Sequence, residues 1–406
     1  MKKKIYFVLG SFPVISHPFL YNQIQEVINL HDYDVNVITF NRTGEKGHDI
    51  YSEIEKKLIV LPIYIGNRSI ARFLLIIRSF FYLLTKSPKI LIKSLNSFRY
   101  STNSRNFTYM ILSSYFLKID ADIFHCHFGP VAKIVGDLKN IGAIKAKIIS
   151  SFHGADITVF PGKYGEGYYK RLYVVSDMFT GNSNFIISKM IDNGCPSDKI
   201  VRIPESLNID QFIYRGEAPQ RGLFNILTVG RMVEKKGYEY SLKAVSLLKK
   251  QGVKFVYNII GDGPLRQDIL NLSKDLEISK EVVFHGAMTQ DKVSMYYKAA
   301  HVFLLPSVTG KDGDTEGQGL VLQEAQAIGV PVLATLHNGF PDSVIDGITG
   351  HLVPERDFNA LFDRLMFFYN DVSKCDEMGK QGREFVEQKF DARIVVQDLV
   401  KVYDKL

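Results

Sequence analysis

The stretch HVFLLPSVTGKDGDTEGQGLVLQEAQAIGVPVLAT (301–335) reads as a strand, a polar loop, a helix and a second strand. HVFLLPS (301–307) is an apolar run of the kind found in buried parallel strands. The loop after it carries Asp312, Asp314 and Glu316, then Gly317 and Gly319. From Leu320 the pattern LVLQEAQAIG predicts a helix stopped by Gly329 and Pro331, after which VPVLAT (330–335) returns as a strand.

Glycines at the mouth of a helix let a ligand approach the backbone, where unpaired N–H groups and the helix dipole attract an anion such as phosphate. Glu316 and Glu324 are eight residues apart, roughly 80° around a helix and two turns along it. One carboxylate can then meet one end of an elongated ligand and the other its far end. A carboxylate beside a phosphate site is useful where it grips hydroxyls, and a sugar nucleotide has phosphates in the middle with hydroxyls on both sides. A solvated acidic loop and an ordinary helix glutamate are the competing reading, and spacing alone does not choose between them.

The same strand–helix alternation runs through the chain. KIYFVLG (4–10), DVNVITF (34–40), DIFHCHFG (122–129), KIISSFHG (147–154), DMFTGNS (177–183) and KIVRIPES (199–206) are strand-like runs of the first half. NILTVGR (225–231), FVYNIIGDG (255–263) and EVVFHGA (281–287) restart the pattern ahead of 301–335. This predicts an α/β fold of doubly wound parallel sheets. The expected division is a first Rossmann-like domain over 1–207, a Gly/Pro-containing linker over 208–222, a second Rossmann-like domain over 223–385, and a terminal helix over 386–406 that packs back on the first. Two such domains facing each other would set the C-terminal ends of both sheets on a shared cleft.

At 406 residues the chain exceeds one core, and 46% hydrophobic with 23% charged residues excludes a disordered polymer. Cys126, Cys195 and Cys375 are few, odd in number and widely spaced, which argues for reduced thiols and a cytoplasmic setting. The apolar run in MKKKIYFVLGSFP is too short for a signal peptide, and no stretch is apolar for long enough to predict a transmembrane helix. Between Lys56 and Ile119 stand eleven Lys or Arg and no Asp or Glu. Within that stretch Arg72, Arg78, Lys86, Lys89, Lys93 and Arg99 alternate with apolar segments, as in amphipathic basic helices on an anionic membrane surface. The alternative is helices packed on the sheet with a cationic outer face. No recognition motif accompanies the charge, so no nucleic-acid partner is expected.

Five further stretches stand at strand ends. VGRMVEKKG (229–237) places Arg231 and Lys236 across a turn, where a guanidinium and an ammonium suit a diphosphate. IIGDGP (259–264) lacks the spacing of a dinucleotide fingerprint and is read as cleft wall. SFHGADIT (151–158) sets His153 where it would enter the cleft from the first domain, opposite Glu316. In HCHFG (125–129) His125 and His127 share one face of a strand, but no further ligand stands at usable spacing, so no metal is expected. In 336–353, Asn338, Gly339 and Phe340 are candidate backbone donors to the ligand.

The succession GRMVEKKG, IIGDGP, EVVFHGAM, EGQGLVLQE, GVPVLAT and GITGHLV across 225–355 resembles the donor half of the retaining glycosyltransferases of family 4, which have the GT-B fold. SFPVISHPFLYNQI and FHGAD resemble the branch working on bacterial exopolysaccharide, capsule or O-antigen. The resemblance implies that Arg231 and Lys236 grip the donor diphosphate, and that Glu316 sits at the donor sugar with Gly317, Gln318, Gly319 and Leu320. It implies that Glu324 holds the ribose, that His285, Gly286 and Met288 border the base, and that His153 lies near the donor sugar and the reacting phosphate oxygen. His153, Glu316, Arg231 and Lys236 would then be the catalytic set, without a metal or other cofactor. Three departures stand out. Gly10, Ser11, Phe12 and Pro13 replace a Gly-Gly loop, Gln318 replaces an aromatic residue, and Asn338 and Asp342 replace Gly and Glu.

The expected activity is a metal-independent hexosyltransfer from a nucleotide sugar to a saccharide or lipid-linked saccharide, at the inner face of the cytoplasmic membrane. A nucleotide-sugar epimerase of the same fold, needing acid/base carboxylates and no acceptor, is a second reading. A non-catalytic sugar-nucleotide scaffold is a third, and the full set of donor residues speaks against it.

Overall fold

A computed structural model describes residues 2–14, 17–43, 52–61, 70–220 and 222–406. The contacts divide the chain into two units. The first holds the residues up to Gly181, then Ile187–Ile203 and Val396–Leu406, and the second holds Asn182–Ile186 and Pro204–Val395.

The first unit carries a seven-stranded parallel sheet: β1 (Lys3–Phe12), β2 (Tyr33–Arg42), β3 (Leu58–Val60), β4 (Ile123–His127), β5 (Lys147–Phe152), β6 (Met178–Gly181) and β7 (Ile200–Arg202). Their order is β3-β2-β1-β4-β5-β6-β7. β1 is central because both its faces are apolar, with Ile5, Phe7, Val8 and Leu9 all buried. The second unit repeats the design with β8 (Phe224–Val229), β9 (Phe255–Ile260), β10 (Val282–Gly286), β11 (Val302–Leu305), β12 (Val332–Thr335) and β13 (Gly350–Val353), ordered β10-β9-β8-β11-β12-β13. Its strands feed two cores, one on each side of the sheet. Val302 and Leu304 belong to one, Phe303 and Leu305 to the other, as the two-residue period of a strand requires. Truncating one of these side chains, Leu304→Ala for instance, costs roughly 2–5 kcal/mol.

In both sheets the order reverses beside the first strand, between β1 and β4 and between β8 and β11. Ligands of open parallel sheets bind outside the carboxyl ends of the strands at such a switch point.

Two details differ from the sequence reading. β3 and β13, of three and four residues, are additional strands too short for a periodic pattern to mark. The segment 208–222 is not a free linker: Ile209 and Phe212 are buried in the second unit's core, while Arg221 lies outside the described residues. The terminal helix Ala392–Lys405 starts in the second unit and belongs to the first from Val396 onward. There the Tyr403 hydroxyl lies 2.8 Å from His125 Nδ1, and Lys3 donates to the Tyr403 carbonyl at 2.7 Å.

Candidate active site

The loops after β8 and β11 meet at the second unit's switch point. Lys236 Nζ lies 3.0 Å from Glu316 Oε1, with Lys235 Nζ at 3.9 Å from the same oxygen, and the Lys236 and Glu316 side chains are each only 12% exposed. Oε1 receives no well-directed hydrogen bond, so the pair is a contact of charges. Burial alone would push the Glu316 carboxyl up, but Lys236 and Lys235 outweigh it and hold the group below the usual carboxylate range. Two glycines make the geometry fit. A Cβ on Gly230 would lie 3.2 Å from Cε of the Lys236 stem. At Gly237, where φ is +66°, a Cβ would sit 1.8 Å from the Pro306 carbonyl oxygen.

The helix Leu320–Ile328 begins at Gly319, with no side-chain cap and no acidic residue in its first turn. Its first N–H groups and the positive end of its dipole are therefore available to an anion. Arg231 is exposed and forms no ion pair among the described residues, while Lys236 turns to Glu316. Gln318 is paired with the main chain of Glu205. Its amide donates to the Glu205 carbonyl at 2.9 Å and accepts from the Glu205 N–H at 2.8 Å.

Glu324 is buried and accepts from the Tyr297 hydroxyl at 3.2 Å. Burial pushes its carboxyl up to about 7. The two glutamates thus sit in opposed environments, one ionised by lysines and one held close to half-protonation at neutral pH. His285 Nε2 meets Asn258 Oδ1 at 2.8 Å and its Nδ1 meets the Tyr296 hydroxyl at 3.3 Å. With both ring nitrogens engaged, it offers a neighbour its ring face. Gly286 follows with φ +72°, and Met288 packs partly buried against the core.

Sequence reasoning missed His337. This fully buried ring lies 2.5 Å from Glu355 Oε1 through Nδ1, and its Nε2 accepts the Glu316 N–H at 3.2 Å and faces Thr315 Oγ1 at 2.8 Å. A backbone N–H can only donate, so Nε2 is bare and Nδ1 carries the proton towards Glu355. Histidine and glutamate together pin the loop bearing Glu316. The next residue, Asn338, donates from its side chain to Thr315. The Phe340 N–H, expected as a ligand donor, is spent on the His337 carbonyl at 2.8 Å.

In the first unit His153 follows β5, and its Nε2 lies 3.1 Å from His127 Nδ1. The buried Asp156 carboxylate accepts from the N–H groups of His153, Gly154 and Gly129, at 3.1, 2.8 and 2.9 Å. It clasps the His153 loop to the start of the helix Gly129–Ile141. His125 and His127 do share a side of β4, but it is the inside: both are fully buried, and burial lowers His125 to about 3 and His127 well below the ordinary histidine value. His125 is engaged by Tyr403 and by Ser151, whose Oγ lies 2.8 Å from Nε2. Among the described residues no group of three His, Cys, Asp or Glu is placed to hold a metal ion.

Arg78, Lys86, Lys89, Lys93 and Arg99 are exposed, as expected for a basic face. Arg72 corrects that expectation. It is buried, and its guanidinium donates to the Asn106 carbonyl at 2.8 Å.

Residues 213–385 match the family of glycosyl transferases group 1. WcaL of Escherichia coli K12, named for colanic acid biosynthesis, is 31% identical over 412 residues, covering 99% of this chain and 100% of its own. The amylovoran biosynthesis glycosyltransferase AmsK of Erwinia amylovora is 30% identical over 419 residues, again covering 99% and 100%. HepE of Anabaena, solved with UDP and glucose, superposes with a TM-score of 0.70 at 15% identity over 100% of both chains. Two parallel-sheet Rossmann-like units of this kind define the GT-B glycosyltransferase fold. The chain belongs to the group 1 glycosyltransferases. It is a glycosyltransferase of the kind whose full-length relatives serve polysaccharide synthesis.

Proposed function

We propose that the protein transfers a sugar, with retention at the anomeric carbon, from a nucleoside diphosphate sugar to a hydroxyl of a lipid-linked saccharide in surface polysaccharide synthesis. The observation that carries this reading is the buried Lys236–Glu316 pair beside the uncapped start of the helix Leu320–Ile328. HepE is described with UDP and glucose, which supports a nucleotide sugar as the donor.

The donor diphosphate takes Lys236, Arg231 and the helix N-terminus as its counter-charges. Glu316, released from Lys236, accepts hydroxyls of the sugar, next to the main chain of Gly317, Gln318, Gly319 and Leu320. Glu324 accepts ribose hydroxyls, and His285, Gly286 and Met288 border the base. The bond from the anomeric carbon to the phosphate oxygen breaks, and the acceptor oxygen bonds that carbon from the same face. The acceptor's proton passes to the departing phosphate oxygen. His153 steadies that oxygen or a sugar hydroxyl. Cationic side chains and helix N–H groups stabilise the charge growing on the leaving group, so the step calls on no metal. The setting we assign is the cytoplasm, at the inner face of its membrane.

The test is a thermal-shift panel of UDP, GDP, ADP and CMP with their sugars. A ligand at a hundred times its dissociation constant adds roughly 2.7 kcal/mol to native stability. One responder, lost in Lys236→Ala, supports the reading and names the donor. A flat panel refutes it. Donor turnover without an acceptor, giving an epimerised sugar, would select the epimerase instead.

A further inference from the structure

The helix Ile70–Lys86 is built inside out. The residues it buries are Arg72, Ser79 and Leu83. Two of these three are polar, and both are satisfied within the fold: Arg72 by the Asn106 carbonyl, and Ser79 by the Ser114 hydroxyl at 3.0 Å on the neighbouring helix Thr108–Phe116. The side it turns outward is apolar. Ile70 is 80% exposed, Phe73 61% and Phe81 60%, with Leu74, Ile77 and Leu84 beside them. At 100° per residue these six fall within roughly 60° of Ile77, which makes one continuous stripe. Ile92, on the next helix Pro88–Ser94, and Phe98 beyond it are also exposed.

Charge identifies the occupant. Arg78, Lys86, Lys89, Lys93 and Arg99 are exposed along these helices, and no acidic residue stands anywhere between Lys56 and Ile119. A second copy of the chain docked through this face would bring two such cationic surfaces together. A folded core would want the stripe turned inward. An anionic lipid surface takes both features at once, with acyl chains for the stripe and phosphates for the flanking cations. No helix among the described residues is long and apolar enough to cross a bilayer, so the geometry is that of a helix lying in the interface.

We infer that the helix Ile70–Lys86, with Pro88–Ser94, seats the protein on an anionic bilayer by inserting its apolar stripe below the headgroups. The basic residues add a salt-dependent increment. This deepens the proposed use of a lipid-linked acceptor and takes its purpose from that reading. The binding itself is tested without any acceptor.

The experiment is flotation of the full chain with vesicles of phosphatidylethanolamine and phosphatidylglycerol, and with phosphatidylcholine alone, at low and high salt. The full chain is expected to float with the anionic vesicles. Phe73→Ser/Phe81→Ser should cut the bound fraction at least about tenfold at either salt, because lost apolar insertion is not screened. Lys86→Gln/Lys89→Gln/Lys93→Gln should weaken binding at low salt and change little at high salt. Absence of flotation with anionic vesicles at low salt, or flotation of the Phe variant equal to that of the parent, overturns the inference. So does a concentration-dependent dimer that the Phe variant converts to monomer, since the stripe would then be a face between copies. The nucleotide thermal shift, run on the same variants, reports the donor site separately and checks that they are folded. A flat nucleotide panel would strike the transferase reading, whereas failed flotation would strike only the membrane.

Discussion

The backbone N–H of Glu316 donates to Nε2 of His337, 3.2 Å away, and so fixes which nitrogen of that buried ring carries its proton. His337 thereby becomes a positioning residue for the carboxylate expected to meet the donor sugar. His337→Ala leaves the Glu316 N–H and the Glu355 carboxylate without this partner, at a cost of about 1–3 kcal/mol. Loosening the Glu316 loop by about 1 Å is expected to lower kcat/KM for the donor by up to about 100-fold. Steady-state kinetics beside urea unfolding checks both. A stability loss with unchanged kinetics would reduce His337 to a packing role.

Lys236 and Glu316 are coupled in stability. Lys236→Ala strands a carboxylate that is 12% exposed, and removing one partner of a buried pair costs about 3 kcal/mol. Glu316→Gln leaves the equally buried Lys236 ammonium unpaired in its turn and should also cost stability, while abolishing transfer. The double variant Lys236→Ala/Glu316→Gln is expected to regain stability over Lys236→Ala and to stay inactive. Chemical denaturation of the three proteins decides this; a double variant no more stable than Lys236→Ala would refute the ion-pair account.

If Glu324 holds the ribose as proposed, nucleotide binding is expected to depend on pH. Its carboxyl is raised to about 7, and ribose hydroxyls donating to it favour the ionised form. Binding then releases a proton, so affinity for the nucleoside diphosphate should rise with pH through about 7. In Glu324→Gln affinity should be weaker and flat with pH. Titration calorimetry at pH 6 and pH 8 (about one unit either side of that value) measures it, and a pH-independent parent would overturn the assignment.

Stability itself should respond to pH with two opposed signs. His125 and His127 have folded-state values far below the ordinary histidine value, and burial also holds His337 down, against the pull of Glu355. As pH falls below about 6.5 the unfolded chain binds protons that the native state refuses, so these residues cost stability in acid. Glu324 acts the other way: its contribution is full below 4.5 and is lost as pH rises through about 7. Parent stability relative to Glu324→Gln should therefore fall between pH 4.5 and 7, as read from unfolding midpoints across that range.

The fold was legible where burial leaves a mark on sequence. KIYFVLG and HVFLLPS are apolar on both faces because parallel strands have both faces covered. Glu316 and Lys236 stood out because glycines flank them after strands, and Glu324 through its eight-residue spacing from Glu316. His337 did not: its tie to Glu316 spans 21 residues and exists only once β11 and β12 lie side by side. Gln318 was read from its place between glycines, and only tertiary structure reveals the Glu205 backbone it is strapped to. Arg72 shows a different limit. Period 3.6 reveals that a helix has two unlike sides but not which side meets the protein, and here the polar residues turned inward.

Tyr403 is fully buried in the first unit, against His125 of β4, although almost the whole second unit separates it from that strand in the chain. On a ribosome the first unit therefore waits, with the seat of Tyr403 vacant, until the second unit has been made. The first unit cannot be cut away as a severable cassette, because a fragment stopping before Val396 would lack the plug that closes its own opening sheet.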